Sequence, residues 1–235
     1  MKTSNAMKKN ILVTGASGNL GKAVVEKFLM DGYQVLAMTT PGKGLGYDVA
    51  GAITTYDADL TDEKSVHETL EKIIGVHKTI DAAILTVGGF ALGTIQTTDA
   101  AALQKMIALN FNTAYFVARV VFNQMMAQGV GRIIFIGARP ALVATEGKNM
   151  VAYALSKSLV FKLSELLNAE AAGKNVATAV IVPGTIDTPA NRQANPNADF
   201  TNWVSGEEIA ANIQFVTSDA ARALREPILK LYSNL

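Results

Sequence analysis

The feature that most constrains this chain is an end-to-end alternation of short apolar runs with longer segments of helical spacing. Runs at 10–14, 34–38, 53–56, 81–86, 132–136, 176–182 and 228–232 are rich in β-branched residues and carry little polar alternation. That pattern belongs to strands buried on both faces. Segments 20–30, 62–74, 98–128, 150–172 and 207–217 have the apolar spacing of helices, as with Val24, Val25, Phe28 and Leu29. Strands buried on both faces need helices above and below, and parallel neighbours need crossovers of one hand. The expectation is an α/β protein with a doubly wound parallel sheet in three layers.

In such a sheet, ligands bind beyond the carboxyl ends of the strands. The loops there are 15–21, 39–52, 57–62, 87–97, 137–149 and 183–206, and the last has the length of a lid. The length of 235 residues suits a single domain. Residues 1–6 (MKTSNA) read as a cloning tag and 7–235 as the domain. Lys and Arg total 21 against 20 Asp and Glu, so no global field recommends nucleic acid or an anionic membrane as partner. No apolar run reaches the length of a membrane span, and the N-terminus lacks the apolar stretch of a secretory signal. The expected location is therefore cytoplasmic. Cysteine is absent, which removes disulfides and thiolate metal sites. His67 and His77 are the only histidines and lie in or beside a polar helix, so no metal site is expected.

Between the first strand and first helix runs Thr14-Gly15-Ala16-Ser17-Gly18-Asn19-Leu20-Gly21. Glycines there permit a tight turn, close approach of backbone to a pyrophosphate, and close packing of helix on sheet. The helix N-terminus adds N–H donors and a favourable dipole. With the strand before it and the helix after it, this is a Rossmann-type dinucleotide loop. An acidic residue at the end of the second strand would bind ribose hydroxyls and select NAD. That strand ends Met38-Thr39-Thr40, followed by Pro41-Gly42-Lys43. Two hydroxyls and a lysine suit a 2′-phosphate, so NADP(H) is favoured over NAD(H).

Tyr153-Ala154-Leu155-Ser156-Lys157 opens a long helix. Residues i and i+4 share a helix face, so the lysine can hold a positive charge near the phenol. A neighbouring cation lowers the pKa of a phenol from about 10 and tunes it for proton donation.

Together these motifs resemble the short-chain dehydrogenase/reductase family. The first and last glycines match its TGxxxGxG, while Gly18 comes one place early and Asn19 stands where glycine is usual. The resemblance implies that Gly15, Ser17, Gly18, Asn19, Leu20 and Gly21 hold the pyrophosphate end of the cofactor. Thr39, Asp59 and Leu60 would lie by the adenosine, with Asp59 on the adenine amino group. Gly88 and Gly89, in the place of an Asn-Ala-Gly turn, would also lie beside the adenosine. It further implies that Tyr153 donates the proton, that Lys157 also holds the nicotinamide ribose, and that Asn110 supports a relay water, with Asn112 as the alternative. Pro183, Gly184, Ile186 and Thr188 resemble a PGxxxT segment that binds the nicotinamide carboxamide.

One departure matters. Where the common branch carries a serine that holds the substrate carbonyl, this chain has Ile136-Gly137-Ala138-Arg139-Pro140, and Thr145 is the nearest replacement. Quinonoid dihydropteridine reductase is similar in this respect. It is also similar in Asp81–Phe90 and in the stretch from Asp187 to Trp203. The expected activity is NAD(P)H-dependent reduction of a small dihydropterin-like molecule. Phe90, Phe200 and Trp203 sit on loops where they could flank a flat ring, the alternative being that they pack a small core of their own, and they are not counted as site residues. A carbonyl, quinone or enoyl reductase is the alternative, and a non-catalytic dinucleotide sensor a further one, disfavoured by the intact YxxxK. Phe116, Val117, Val120, Val121 and Phe161 exceed what one sheet face needs. The family's helix-paired seam then implies a homodimer or homotetramer.

Overall fold

The computed structural model describes residues 8–233; the expected tag lies outside them. The elements run β1 (Asn10–Thr14), α1 (Asn19–Met30), β2 (Gln34–Thr39), β3 (Ile53–Asp57), α2 (Glu63–His77) and β4 (Ala82–Leu85). Then come α3 (Ala100–Ile107), a π-helical turn (Ala108–Asn112), α4 (Thr113–Gln128), β5 (Val130–Ile136), α5 (Ala144–Gly147) and α6 (Val151–Glu170). The chain closes with β6 (Asn175–Pro183), α7 (Pro189–Ala194), α8 (Gly206–Thr217) and β7 (Ile228–Leu231). The seven strands form one sheet in the order β3-β2-β1-β4-β5-β6-β7, and every pairing is parallel. This is the expected doubly wound α/β sheet, with the chain reversing direction across the sheet between β1 and β4.

Strand periodicity of two divides the core. Leu12, Leu36, Met38, Ala83, Leu85, Ile133 and Phe135 face a layer built by α2, α4 and α6. Ile11, Val13, Val35, Ala37, Ile84, Ile134 and Ile181 face α1 and α8. Apolar area removed from water on both faces, at roughly 25 cal/mol per Å², drives the assembly. Helix starts follow capping chemistry: Asp62 caps α2, and Ser205 with Glu208 forms a capping box on α8.

Two expectations are corrected. The helix expected over 98–128 is two helices joined by the π turn, because Ala108–Asn112 inserts extra residues into the ladder. Val117, Val121 and Phe161 are fully used in the core, so they are not surplus. The exposed apolar residues on these helices are Tyr115, Leu155, Leu159 and Leu166 instead. As expected, 39–52 is a loop, so β2 passes to β3 without a crossover helix, and Gly42, Gly44 and Gly46 in it all have positive φ. No helix of the described residues is long and apolar enough to cross a membrane.

Candidate active site

The loop after β1 is shaped by its glycines. Gly15 has φ +65, and a Cβ there would lie 2.9 Å from Thr86 Oγ1 and from Val87 Cγ2. A Cβ on Gly21 would sit 2.1 Å from the Gly15 carbonyl oxygen, so helix and turn meet backbone to backbone. Gly18 differs: its φ is −83, and its only close neighbour would be the Gly15 oxygen at 3.3 Å. Gly18 is also the N-cap of α1, so the first turn has no side-chain cap. An uncapped N-terminus beside an exposed Ser17, Gly18 and Asn19 is a cradle for an anion, and the residues present fit a pyrophosphate. Leu20 anchors the turn in the core from beside it. Tyr47, from the β2–β3 loop, donates to the Ala16 carbonyl at 3.0 Å, and burial, then Glu26, pushes its phenol up to about 12.

At the end of β2 the side chain of Thr39 is buried and donates to Asp57 Oδ1 at 2.8 Å. Lys43 is exposed on the loop beyond. Asp59, just past β3, accepts from the Thr61 hydroxyl and backbone N–H, which hold its carboxyl below the usual range. Leu60 packs against the core beside it.

Beyond β4, Gly88 and Gly89 lie against Asn110. A Cβ on Gly88 would meet Asn110 Oδ1 at 2.6 Å and Lys157 Nζ at 3.2 Å. Asn110 is buried on the π turn, whereas Asn112 is only partly buried. Its Oδ1 accepts from the Gly89 N–H at 2.9 Å, and its Nδ2 donates to the Gly89 carbonyl and to Ser156 Oγ, each at 3.0 Å. Ser156 in turn donates to the Tyr153 carbonyl at 2.8 Å. Sequence reasoning passed over Ser156, although a polar residue between the Tyr and Lys of the motif was the available signal.

Lys157 is buried and donates to the Ile136 carbonyl at 2.8 Å, which places it at the carboxyl end of β5. Burial pushes its pKa down to about 8 and that of Tyr153 up to about 12. This departs from the expectation of a phenol lowered by its neighbour: burial sets the direction of the shift, and the phenol stays protonated at neutral pH. Phe90 packs edge-on to Tyr153, with ring centroids 5.1 Å apart and its own ring mostly exposed.

Pro183 ends β6, and the Gly184 N–H donates to Leu231 O at 2.8 Å. Ile186 bridges to Val204, and its carbonyl accepts from Asn191. Thr188 caps α7 by accepting from the Asn191 N–H at 3.1 Å, which leaves its hydroxyl hydrogen for another acceptor. Phe200 and Trp203 pack on each other at 4.7 Å. Arg192 is bound bidentately by Asp187 and lies over Phe200, so it is committed to contacts within the 183–206 loop. Arg139 pairs with Glu146. Ala138 is buried, Thr145 is exposed on α5, and no hydroxyl replaces the expected serine at that position.

The sheet, the glycine loop at the reversal point and the Tyr–Lys pair define a dinucleotide-binding α/β oxidoreductase. The chain matches the short chain dehydrogenase family model over residues 9–199 and belongs to that family. It is 29% identical over 194 residues to 2-(R)-hydroxypropyl-CoM dehydrogenase of Xanthobacter autotrophicus, covering 78% of this chain and 76% of that one. It is 26% identical to dihydropteridine reductase of Dictyostelium discoideum, covering 95% of this chain and 94% of the other. A short-chain type dehydrogenase/reductase from Mycobacterium ulcerans shares its fold with a TM-score of 0.86 at 23% identity, over 94% of this chain and 87% of that one.

Proposed function

We propose that this oxidoreductase uses NAD(P)H to reduce a small, flat, electron-poor molecule of the dihydropterin type. Gly15, Ser17, Gly18, Asn19, Leu20 and Gly21 hold the pyrophosphate. Thr39, Asp59, Leu60, Gly88 and Gly89 line the adenosine half, and Pro183, Gly184, Ile186 and Thr188 hold the carboxamide. When bound, the reduced nicotinamide supplies a hydride. Tyr153 gives its phenolic proton to the substrate atom that gains the electron pair, and a pKa of about 12 keeps that proton in place at pH 7. Lys157 holds the ribose and offers a positive charge to the developing phenolate. Asn110 positions the Gly88–Gly89 turn and Ser156. Thr39, Thr40 and Lys43, taken alone, favour NADP(H).

The observation that carries the substrate reading is Phe90 against Tyr153, an exposed aromatic wall beside the proton donor. Ala138 supports it: without a hydroxyl to polarise a carbonyl, the reducible bond must already be electrophilic. A second reading, oxidation or reduction at an ordinary alcohol or ketone, is favoured by the likeness to the hydroxypropyl-CoM dehydrogenase. The chain's exposed Tyr115, Leu155, Leu159 and Leu166 suit burial in a homodimer or homotetramer. The test is oxidation of NADH or NADPH, followed at the nicotinamide band, with chemically generated quinonoid dihydropterin, a small quinone and a panel of ketones. Turnover of the pterin alone supports the first reading, and turnover of ketones alone the second.

A further inference from the structure

Neither the end of β2 nor the stretch Thr40–Lys43 carries an acidic residue, yet a carboxylate stands beside the end of that strand. Parallel pairing brings Asp57 of β3 directly beside Thr39 of β2. Asp57 Oδ1 accepts from the Thr39 hydroxyl at 2.8 Å, and Oδ2 accepts from the Gly42 N–H at 3.3 Å. Gly42 can turn its amide onto Asp57 because it has φ +76 in a loop free of helix. Asp57 is exposed and forms no ion pair among the described residues. Each of its oxygens spends one acceptor site on the protein and keeps another.

We propose that Asp57 acts from β3 as the carboxylate that β2 lacks, accepting the adenosine ribose hydroxyls and rejecting a 2′-phosphate, so that the chain prefers NAD(H). This rests on the dinucleotide reading above. The end of the second strand is where the ribose lies in this fold, and a carboxylate there suits two vicinal hydroxyls. The same charge repels a phosphate across a short distance. The Thr39 hydroxyl hydrogen is given to Asp57, so the side chain expected to welcome the phosphate is held by the group that opposes it. Of the three residues that suit a phosphate, Thr40 and Lys43 remain, and both are exposed to solvent.

The experiment is equilibrium titration of NADH and NADPH, by nicotinamide fluorescence, into the wild type, Asp57→Asn and Asp57→Ser. The wild type should bind NADH tighter by about tenfold or more. Asp57→Asn keeps an acceptor for Thr39 and removes the charge, so the NADPH-to-NADH affinity ratio should rise about tenfold, chiefly through tighter NADPH. In the wild type alone, that ratio should rise with ionic strength, because salt screens repulsion. Pyrophosphate contacts are common to both nucleotides and cancel in the ratio. A wild type that prefers NADPH, a ratio falling with salt, or variants that lose both nucleotides equally would overturn the proposal. If neither nucleotide binds the wild type, the dinucleotide reading fails and this one with it.

Discussion

Asn110 holds Gly89 by both of its backbone polar groups, accepting from the N–H at 2.9 Å and donating to the carbonyl at 3.0 Å. The side chain is buried on the π turn, and its amide also reaches Ser156 of α6. One residue thus locks the turn after β4 to the helix that carries Tyr153 and Lys157. Asn110→Ala would leave these groups without partners in a buried place, at about 2–4 kcal/mol. The expected fall in melting temperature is about 5–15 °C, read by circular dichroism. A melt unchanged within a degree or so would show that water replaces the amide.

Lys157 sets a pH signature. Burial lowers its pKa from 10.5 to about 8 in the folded chain. Below about 8 both folded and unfolded states carry the proton. Between there and 10.5 the unfolded state binds more protons, so stability rises with pH across that window and levels off above it. The rise attributable to this group is up to about 3 kcal/mol. Urea melts at closely spaced pH values should show it as the difference between the wild type and Lys157→Met. A difference that falls between pH 8 and 10.5 would contradict the burial account.

Two glycines of one loop should respond oppositely. Gly21→Ala drives a Cβ to 2.1 Å from the Gly15 oxygen, so it should unfold the loop and lower the melting temperature markedly. Gly18→Ala meets only that oxygen, at 3.3 Å, in ordinary φ. It should fold with a near wild-type melt and lose nucleotide affinity by tenfold or more, an order-of-magnitude expectation for a ligand contact about as close as van der Waals packing allows. Paired melting and nucleotide titration separate the two effects.

Much of this was legible in the chain. Buried strands alternating with amphipathic helices have few ways to pack, so the doubly wound parallel sheet follows from Ile11–Val13, Val35–Met38 and their counterparts, while its strand order came from the structure. The glycine loop and YxxxK carry their geometry in their spacing. What was hidden depends on register and on local helix geometry. Asp57 reads as one more polar residue until parallel pairing sets it beside Thr39. The π turn leaves apolar spacing nearly intact while rotating Asn110 inward. The direction of the Tyr153 shift depends on desolvation, which no motif spacing reveals.

The most direct test of the account is the wild type against Tyr153→Phe, in turnover and in nucleotide binding. Phenylalanine keeps the ring against Phe90 and removes only the hydroxyl that carries the transferable proton. The account predicts a loss in kcat of about 10²–10⁴-fold with nucleotide affinity within about twofold of wild type. Undiminished turnover in Tyr153→Phe would contradict the assignment of Tyr153 as proton donor.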